Sequence, residues 1–245
     1  MSVEFHVIIP ARYQSSRLPG KLLMDLNGMT VIERVYHQAL LATPKSITIA
    51  TDSVDIYEHA TAFGAKVVMT AMTHPTGTDR IAEAIALGSF SSDDIIVNIQ
   101  GDEPLISPRL IQQVAGTLAS TSAPMATLCW PITTVEEGLN PNVVKVVRDE
   151  QNNALYFSRS LIPVNRDNPS QLQSVFRHIG LYAYRAGFVQ EFVKLPVCSL
   201  EMLEALEQLR ALWAGYRIKV DTACVAPQQD INTAEDLKKA CDLFA

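Results

Sequence analysis

Cysteine is scarce in this chain: 4 of 245 residues, at positions 129, 198, 224 and 241. They are far apart and form no C-x-x-C pair, which excludes a zinc ribbon or a disulfide framework and predicts free thiols in a reducing compartment. No apolar run approaches the roughly 18 residues that a membrane-spanning helix needs. The first four residues carry no basic, then apolar, leader of the secretory type, so the expectation is a cytoplasmic protein with no membrane partner. Basic residues are outnumbered, 20 Lys and Arg against 26 Asp and Glu for a net charge of −6. Nucleic acid is therefore not an expected partner, because phosphate neutralisation along a polynucleotide needs a broad basic surface. Two glycine signatures are also missing. Without G-x-x-x-x-G-K-[ST] or G-x-G-x-x-G, a P-loop kinase and a typical nicotinamide dehydrogenase are both disfavoured.

What the chain does have is one generous apolar core: 48% hydrophobic against 19% charged residues is the balance of an ordinary globular domain. Short apolar runs at 5–9, 47–50, 67–69 and 95–99 alternate with segments of helical spacing, such as Val31, Val35 and Ala39 or Ile81, Ala84 and Ile85. That alternation predicts an α/β fold, a Rossmann-like and mostly parallel sheet flanked by helices. After Pro124 the pattern turns β-rich, with strands expected over 125–132, 143–147, 154–157 and 179–184, as an insertion forming a second wall over the strand ends. Residues 165–173 read as a polar loop. Leu200, Leu203, Leu206, Leu209 and Leu212 predict one helix, capped by Ser199. A strand over 217–220 and a closing helix over 233–244 complete the chain. It reads as a single domain, 1–245, in which 1–123 with 221–245 form one part and 124–220 the other.

The first strand delivers a loop, residues 10–21, holding Arg12, Arg17, Lys21, two serines and a glycine. Fixed cations, hydroxyls and backbone N–H groups at the end of a buried strand suit a polyphosphate, with Arg12, Arg17 and Lys21 cradling it. A solvated surface turn is the plain alternative. Gly77 to Arg80 open a helix whose N–H groups face an anion, although Thr78 and Asp79 would serve equally as helix caps. Gln100, Gly101 and Asp102 follow the most continuously apolar strand. A carboxylate there suits a hard cation such as Mg²⁺ held with waters and phosphate oxygens, while Glu103 shapes the turn into Pro104.

The stretches Pro10-Ala-Arg, Ser15-Ser-Arg-Leu-Pro-Gly-Lys21, Gly77-Thr-Asp-Arg80, Asn98 to Pro104, Arg177 to Arg185 and Leu206 to Arg210 occur in an order and at distances that resemble the 3-deoxy-manno-octulosonate (Kdo) cytidylyltransferase family, the CMP-Kdo synthetases of lipopolysaccharide assembly. The similarity covers residues 5–240. It implies a Mg²⁺-dependent reaction of CTP with Kdo in a homodimer, with Lys21, Arg12 and Asp102 as catalytic residues. Ala11, Arg12, Ser16, Arg17, Lys21, Gly77, Thr78, Arg80 and Gln100 would bind the nucleotide, Lys21 at its α-phosphate. Arg159, His178, Tyr182, Glu207 and Gln208 would bind the sugar, and 124–220 would hold the sugar-binding and dimerisation surfaces. From its residue type alone His178 reads as a hydrogen-bonded structural histidine, and Glu207 with Arg210 as an i,i+3 surface pair. The chain departs from the family pattern in the C-terminal metal stretch. Asn232 stands in the aspartate's slot and Asp230 lies two residues earlier, so Asp102, Asp230 and Asn232 together are the expected metal set. The same chemistry on 8-amino-Kdo or another acidic sugar, and a CTP-binding protein without turnover, remain the alternatives.

Overall fold

In the computed structural model, which describes residues 3–13, 18–228 and 233–243, strand β1 (His6–Ala11) is buried along all but its first residue. Such a strand must be covered on both faces, and the chain meets that demand with helical crossovers. Helix α1 (Val31–Leu41) starts at Thr30, whose side chain and Glu33 form a reciprocal capping box. It leads to β2 (Ser46–Thr51), then α2 (Val54–Ala62) and β3 (Lys66–Met69), each strand pairing in parallel with the one before. The chain then crosses back through α3 (Gly77–Leu87) to β4 (Ile95–Asn98), which pairs in parallel with the other edge of β1. The sheet therefore winds both ways from β1, and the reversal leaves a crevice beyond the carboxyl ends of β1 and β4.

Helix α4 (Pro108–Ala119) is followed by β5 (Met125–Pro131), the short α5 (Val135–Leu139), β6 (Lys145–Arg148), β7 (Ala154–Ser158) and the long β8 (Phe176–Arg185). After α6 (Ala186–Phe192), α7 (Ser199–Glu204) and α8 (Gln208–Trp213), the chain ends with β9 (Ile218–Thr222) and α9 (Ala234–Leu243). The sheet order is β3-β2-β1-β4-β8-β5-β9, with β6 paired to β8 and β7. β8 runs against β4 and β5, while β5 and β9 are parallel, so the sheet is mostly parallel as expected. The strands after Pro124 do not build a separate layer. β8 joins β4 through Tyr182–Arg185 and β6 through Phe176 and Arg177, which splices the later strands into the first sheet.

Two apolar cores cover the two faces. One packs α1, α2 and α4 against Val7, Ile9, Val97 and Leu181; the other packs α3, α6 and α8 against Ile8, Ile96, Tyr182 and Tyr184. Alternation along each strand assigns neighbours to opposite faces.

The helix expected from Leu200 to Leu212 is two helices. Ala205 sits in the left-handed region with φ 49° and separates α7 from α8. On a helix with about 3.6 residues per turn, a repeat of three slips by roughly 60° at each step, so five leucines cannot share a face. The break sends Leu206 and Leu209 into the core and leaves Leu203 exposed. The cap is Cys198, whose sulfur accepts from the Glu201 N–H, and not Ser199.

Candidate active site

The crevice between β1 and β4 opens into a cleft of about 400 Å³ lined by Arg12, Lys21, His74, Thr76, Gly77, Arg80, Gln100, Asp102 and Glu207, among others. Gly101 brings its two walls together: a β-carbon there would lie 3.2 Å from the Pro10 carbonyl oxygen, tighter than a side chain tolerates without backbone movement. Gly20, with φ 67°, turns the β1 loop into the 3₁₀ turn Lys21–Leu23. That turn points the Lys21 ammonium at the Asp102 carboxylate, with which it forms a hydrogen-bonded ion pair. Lys21 and Asp102 thus act from one point of the cleft. Arg12 is exposed at the mouth, and Ala11, fully buried at the end of β1, offers the cleft only its backbone. Gln100 donates to the Asn98 side chain at 3.4 Å. Ser16, Arg17, Asp230 and Asn232 lie outside the described residues.

The second wall is the start of α3. Its N-cap is Thr76, whose hydroxyl accepts from the Asp79 N–H, so neither Thr78 nor Asp79 is the cap. Thr78 is buried and turns its hydroxyl to Glu207 Oε2 at 2.7 Å, while Thr76 donates to Glu207 Oε1 at 2.9 Å. Arg80 is also buried. Its guanidinium pairs with Asp52 at 2.5 Å and with the Thr70 hydroxyl, so its first task is to brace this wall. His74 is hydrogen-bonded to Glu83, whose carboxyl that contact and the Ala71 N–H hold below its usual range.

Of the expected sugar residues, only Glu207 lines this cleft. Burial pushes its carboxyl pKa up, against the two threonine hydroxyls and Arg210, which favour the charge. Arg210 is not its surface partner: the guanidinium is buried and makes two bonds to Glu201, at 2.7 and 2.5 Å, with Glu207 at 3.9 Å. Gln208 is buried beside it. His178 and Tyr182 share one face of β8 with Gly180 between them, and a β-carbon at Gly180 would meet nothing within 4 Å, so the strand leaves a niche there. His178 stacks edge-on to Phe157 and sits 3.0 Å from the Thr127 hydroxyl; burial holds its pKa down to about 3 and keeps it neutral. The Tyr182 hydroxyl is buried and has no hydrogen-bond partner among the described residues, which marks it as a donor aimed at something else. Arg159 stands apart, its guanidinium given to the carbonyls of Glu204, Pro141 and Ala205.

Sequence reasoning missed His74, Thr76 and the Asp52 brace. Thr76 carried a usable signal, a Thr-x-x-Asp box ahead of an apolar helical run; His74 and Asp52 carried none.

Residues 6–219 match the cytidylyltransferase family. The chain is 64% identical over 244 residues to a 3-deoxy-manno-octulosonate cytidylyltransferase of Legionella pneumophila strain Corby, covering 100% of this chain and 98% of that one. It is 49% identical over 248 residues to the protein of that name from Vibrio vulnificus strain CMCP6, covering 99% of both. A solved CMP:2-keto-3-deoxy-manno-octonic acid synthetase complexed with CTP superposes with a TM-score of 0.92 at 38% identity, over 98% of each chain. A 4-diphosphocytidyl-2C-methyl-D-erythritol synthase from Anaerococcus prevotii shares the fold, with a TM-score of 0.65 at 13% identity over 98% of each chain. The chain belongs to the 3-deoxy-manno-octulosonate cytidylyltransferase family.

Proposed function

We propose that this protein transfers a cytidylyl group from CTP to Kdo: the anomeric hydroxyl of the sugar attacks the α-phosphorus, pyrophosphate leaves and CMP-Kdo forms. The observation that carries the reading is the Lys21–Asp102 pair at the carboxyl ends of β1 and β4, facing Glu207 across the cleft. Lys21 offsets charge at the phosphorus under attack, and Arg12 at the mouth holds the outer phosphates. Tyr182, Glu207 and the niche at Gly180 form the acceptor side, where a sugar's hydroxyls find an unused phenol and a carboxylate. Most of the acceleration then comes from holding the two substrates in line.

Asp102 fits Mg²⁺, because that ion is usually held by one or two carboxylates together with substrate phosphates and waters. The metal, when bound, supplies positive charge to the phosphate oxygens; Asp102 would hold it with Asp230 or Asn232. No helix among the described residues is long and apolar enough to cross a membrane. A cytoplasmic location, a homodimer and a role in lipopolysaccharide assembly complete the proposal.

The test is pyrophosphate release with Mg²⁺ and CTP, comparing Kdo, 8-amino-Kdo, sialic acid and no sugar. Release that requires Kdo supports the reading. Release with another sugar alone reassigns the acceptor, and silence with all four overturns it.

A further inference from the structure

Lys145 has no part in the chemistry above, yet its side chain is fully buried. Its ammonium donates to the carbonyls of Asn140 at 2.9 Å, Val143 at 2.5 Å and Arg159 at 2.6 Å. Burying a cation among backbone carbonyls is costly, and apolar packing is often the more stable choice. The contacts show what is held in return. Arg159 is fastened on its carbonyl side by Lys145 and on its N–H side by Glu204 Oε2 at 2.9 Å, while Glu204 Oε1 takes the Ser158 hydroxyl at 2.7 Å. The Arg159 guanidinium then grips the carbonyls of Glu204 at 2.6 Å and Ala205 at 3.3 Å. These are the carbonyls on either side of the left-handed turn that ends α7. Two residues later, Glu207 reaches across the cleft to Thr76 and Thr78.

We propose that Lys145 is a positioning residue for the acceptor side of the cleft, acting through Arg159 and Glu204 on the turn at Ala205 and thereby aiming Glu207 at Thr76 and Thr78. The inference rests on the Kdo cytidylyltransferase reading for the identity of the acceptor, and on geometry alone for the linkage. Arg159 is in this arrangement a strut. Its guanidinium bonds to three protein carbonyls, those of Pro141, Glu204 and Ala205, and the cleft receives its influence through the backbone it holds.

The experiment is steady-state kinetics and CTP calorimetry on Lys145→Met, Glu207→Gln and the double variant. Removing the ammonium that holds the Arg159 carbonyl is expected to raise KM for Kdo about tenfold in Lys145→Met, with KM and Kd for CTP within about twofold of wild type. Because Lys145 acts through Glu207, adding Lys145→Met to Glu207→Gln should change KM for Kdo no further. Equal losses for both substrates, or independent effects that multiply in the double variant, would overturn the proposal. If Lys145→Met does not fold, Glu204→Gln is read in the same way and with the same outcomes. A wild-type protein that turns over no sugar would sink the functional reading instead. The linkage would then be judged by whether Lys145→Met alters backbone amide exchange at residues 205–208, as the proposal expects, or leaves it unchanged, which would refute it.

Discussion

Lys21 and Asp102 are separated by 81 positions in sequence and meet in one ion pair at the floor of the cleft. In the proposed reaction, the ammonium beside Asp102 lets a carboxylate sit in the cleft without leaving a bare negative charge facing the triphosphate. Replacing it by asparagine keeps the shape and a hydrogen-bond acceptor and removes the charge. Asp102→Asn is therefore expected to lower kcat by about a hundredfold or more, as loss of a charge that stabilises a transition state does, while the calorimetric Kd for CTP changes only a few-fold. His178 makes a prediction about stability. Its native pKa is about 3 against 6.5 for an exposed histidine, with burial as the first cause and Arg177 as the second. Between those values the unfolded chain binds a proton that the native protein does not. That contribution is complete above pH 6.5 and is lost as the pH falls toward 3, at about 1.4 kcal/mol per pH unit in mid-window. Urea denaturation of His178→Gln should show a stability–pH slope shallower than wild type by one proton over that range. An unchanged slope would mean that His178 is protonated in the fold. Glu207 has the opposite sign: a carboxyl raised by burial is best tolerated when protonated, so its stability contribution falls as pH rises past its ordinary range.

At the scale of elements, the left-handed turn at Ala205 divides what the leucine spacing presented as one helix. An alanine in that region carries a steric cost that glycine does not, and Ala205 is exposed, so its methyl group contributes little burial. Ala205→Gly should raise stability by about 1 kcal/mol, less what the unfolded glycine regains in freedom, as a higher Tm in calorimetry. A lower Tm would show that the methyl packs usefully. β8 teaches a related lesson. Its register against β5 slips between Thr127 and Leu128, and the Thr127 hydroxyl sits 2.9 Å from the Ile179 carbonyl and 2.8 Å from that of Leu181. The slip places the strand's one open position, Gly180, between His178 and Tyr182. The strands of the first half were readable because a strand covered on both faces is apolar almost throughout. The irregularity was not, because it depends on a hydroxyl from a strand about fifty residues away.

At the scale of the whole molecule, the mostly parallel sheet and its two helical layers were legible from the alternation of apolar runs and helical spacings. The splice through β8 was not, since a β-rich stretch reads alike whether it forms its own layer or joins an existing sheet. The same limit applies to assembly. α7 and α8 leave Met202, Leu203 and Trp213 exposed, while Trp130 in the β-rich half packs half-buried against the core. These exposed side chains support the proposed homodimer. Equilibrium sedimentation should return twice the 26.9 kDa chain mass, and Leu203→Glu should shift the species toward that of one chain. A wild-type mass of one chain would dismiss the dimer.

Taken alone, the sequence determined the class of sheet, the loop that carries Arg12 and Lys21, and the carboxylate at the end of β4. Each follows from local rules, in which burial sets periodicity and strand ends expose what comes next. Only the tertiary structure decided that Lys21 and Asp102 form one charged pair, that Arg80 and Arg159 spend their guanidinium groups on the protein, and that Thr76 and Thr78 take hold of Glu207. Those outcomes depend on which side chains are left without water when distant segments pack together. A buried donor or acceptor must then find its partner in space, wherever that partner lies along the chain.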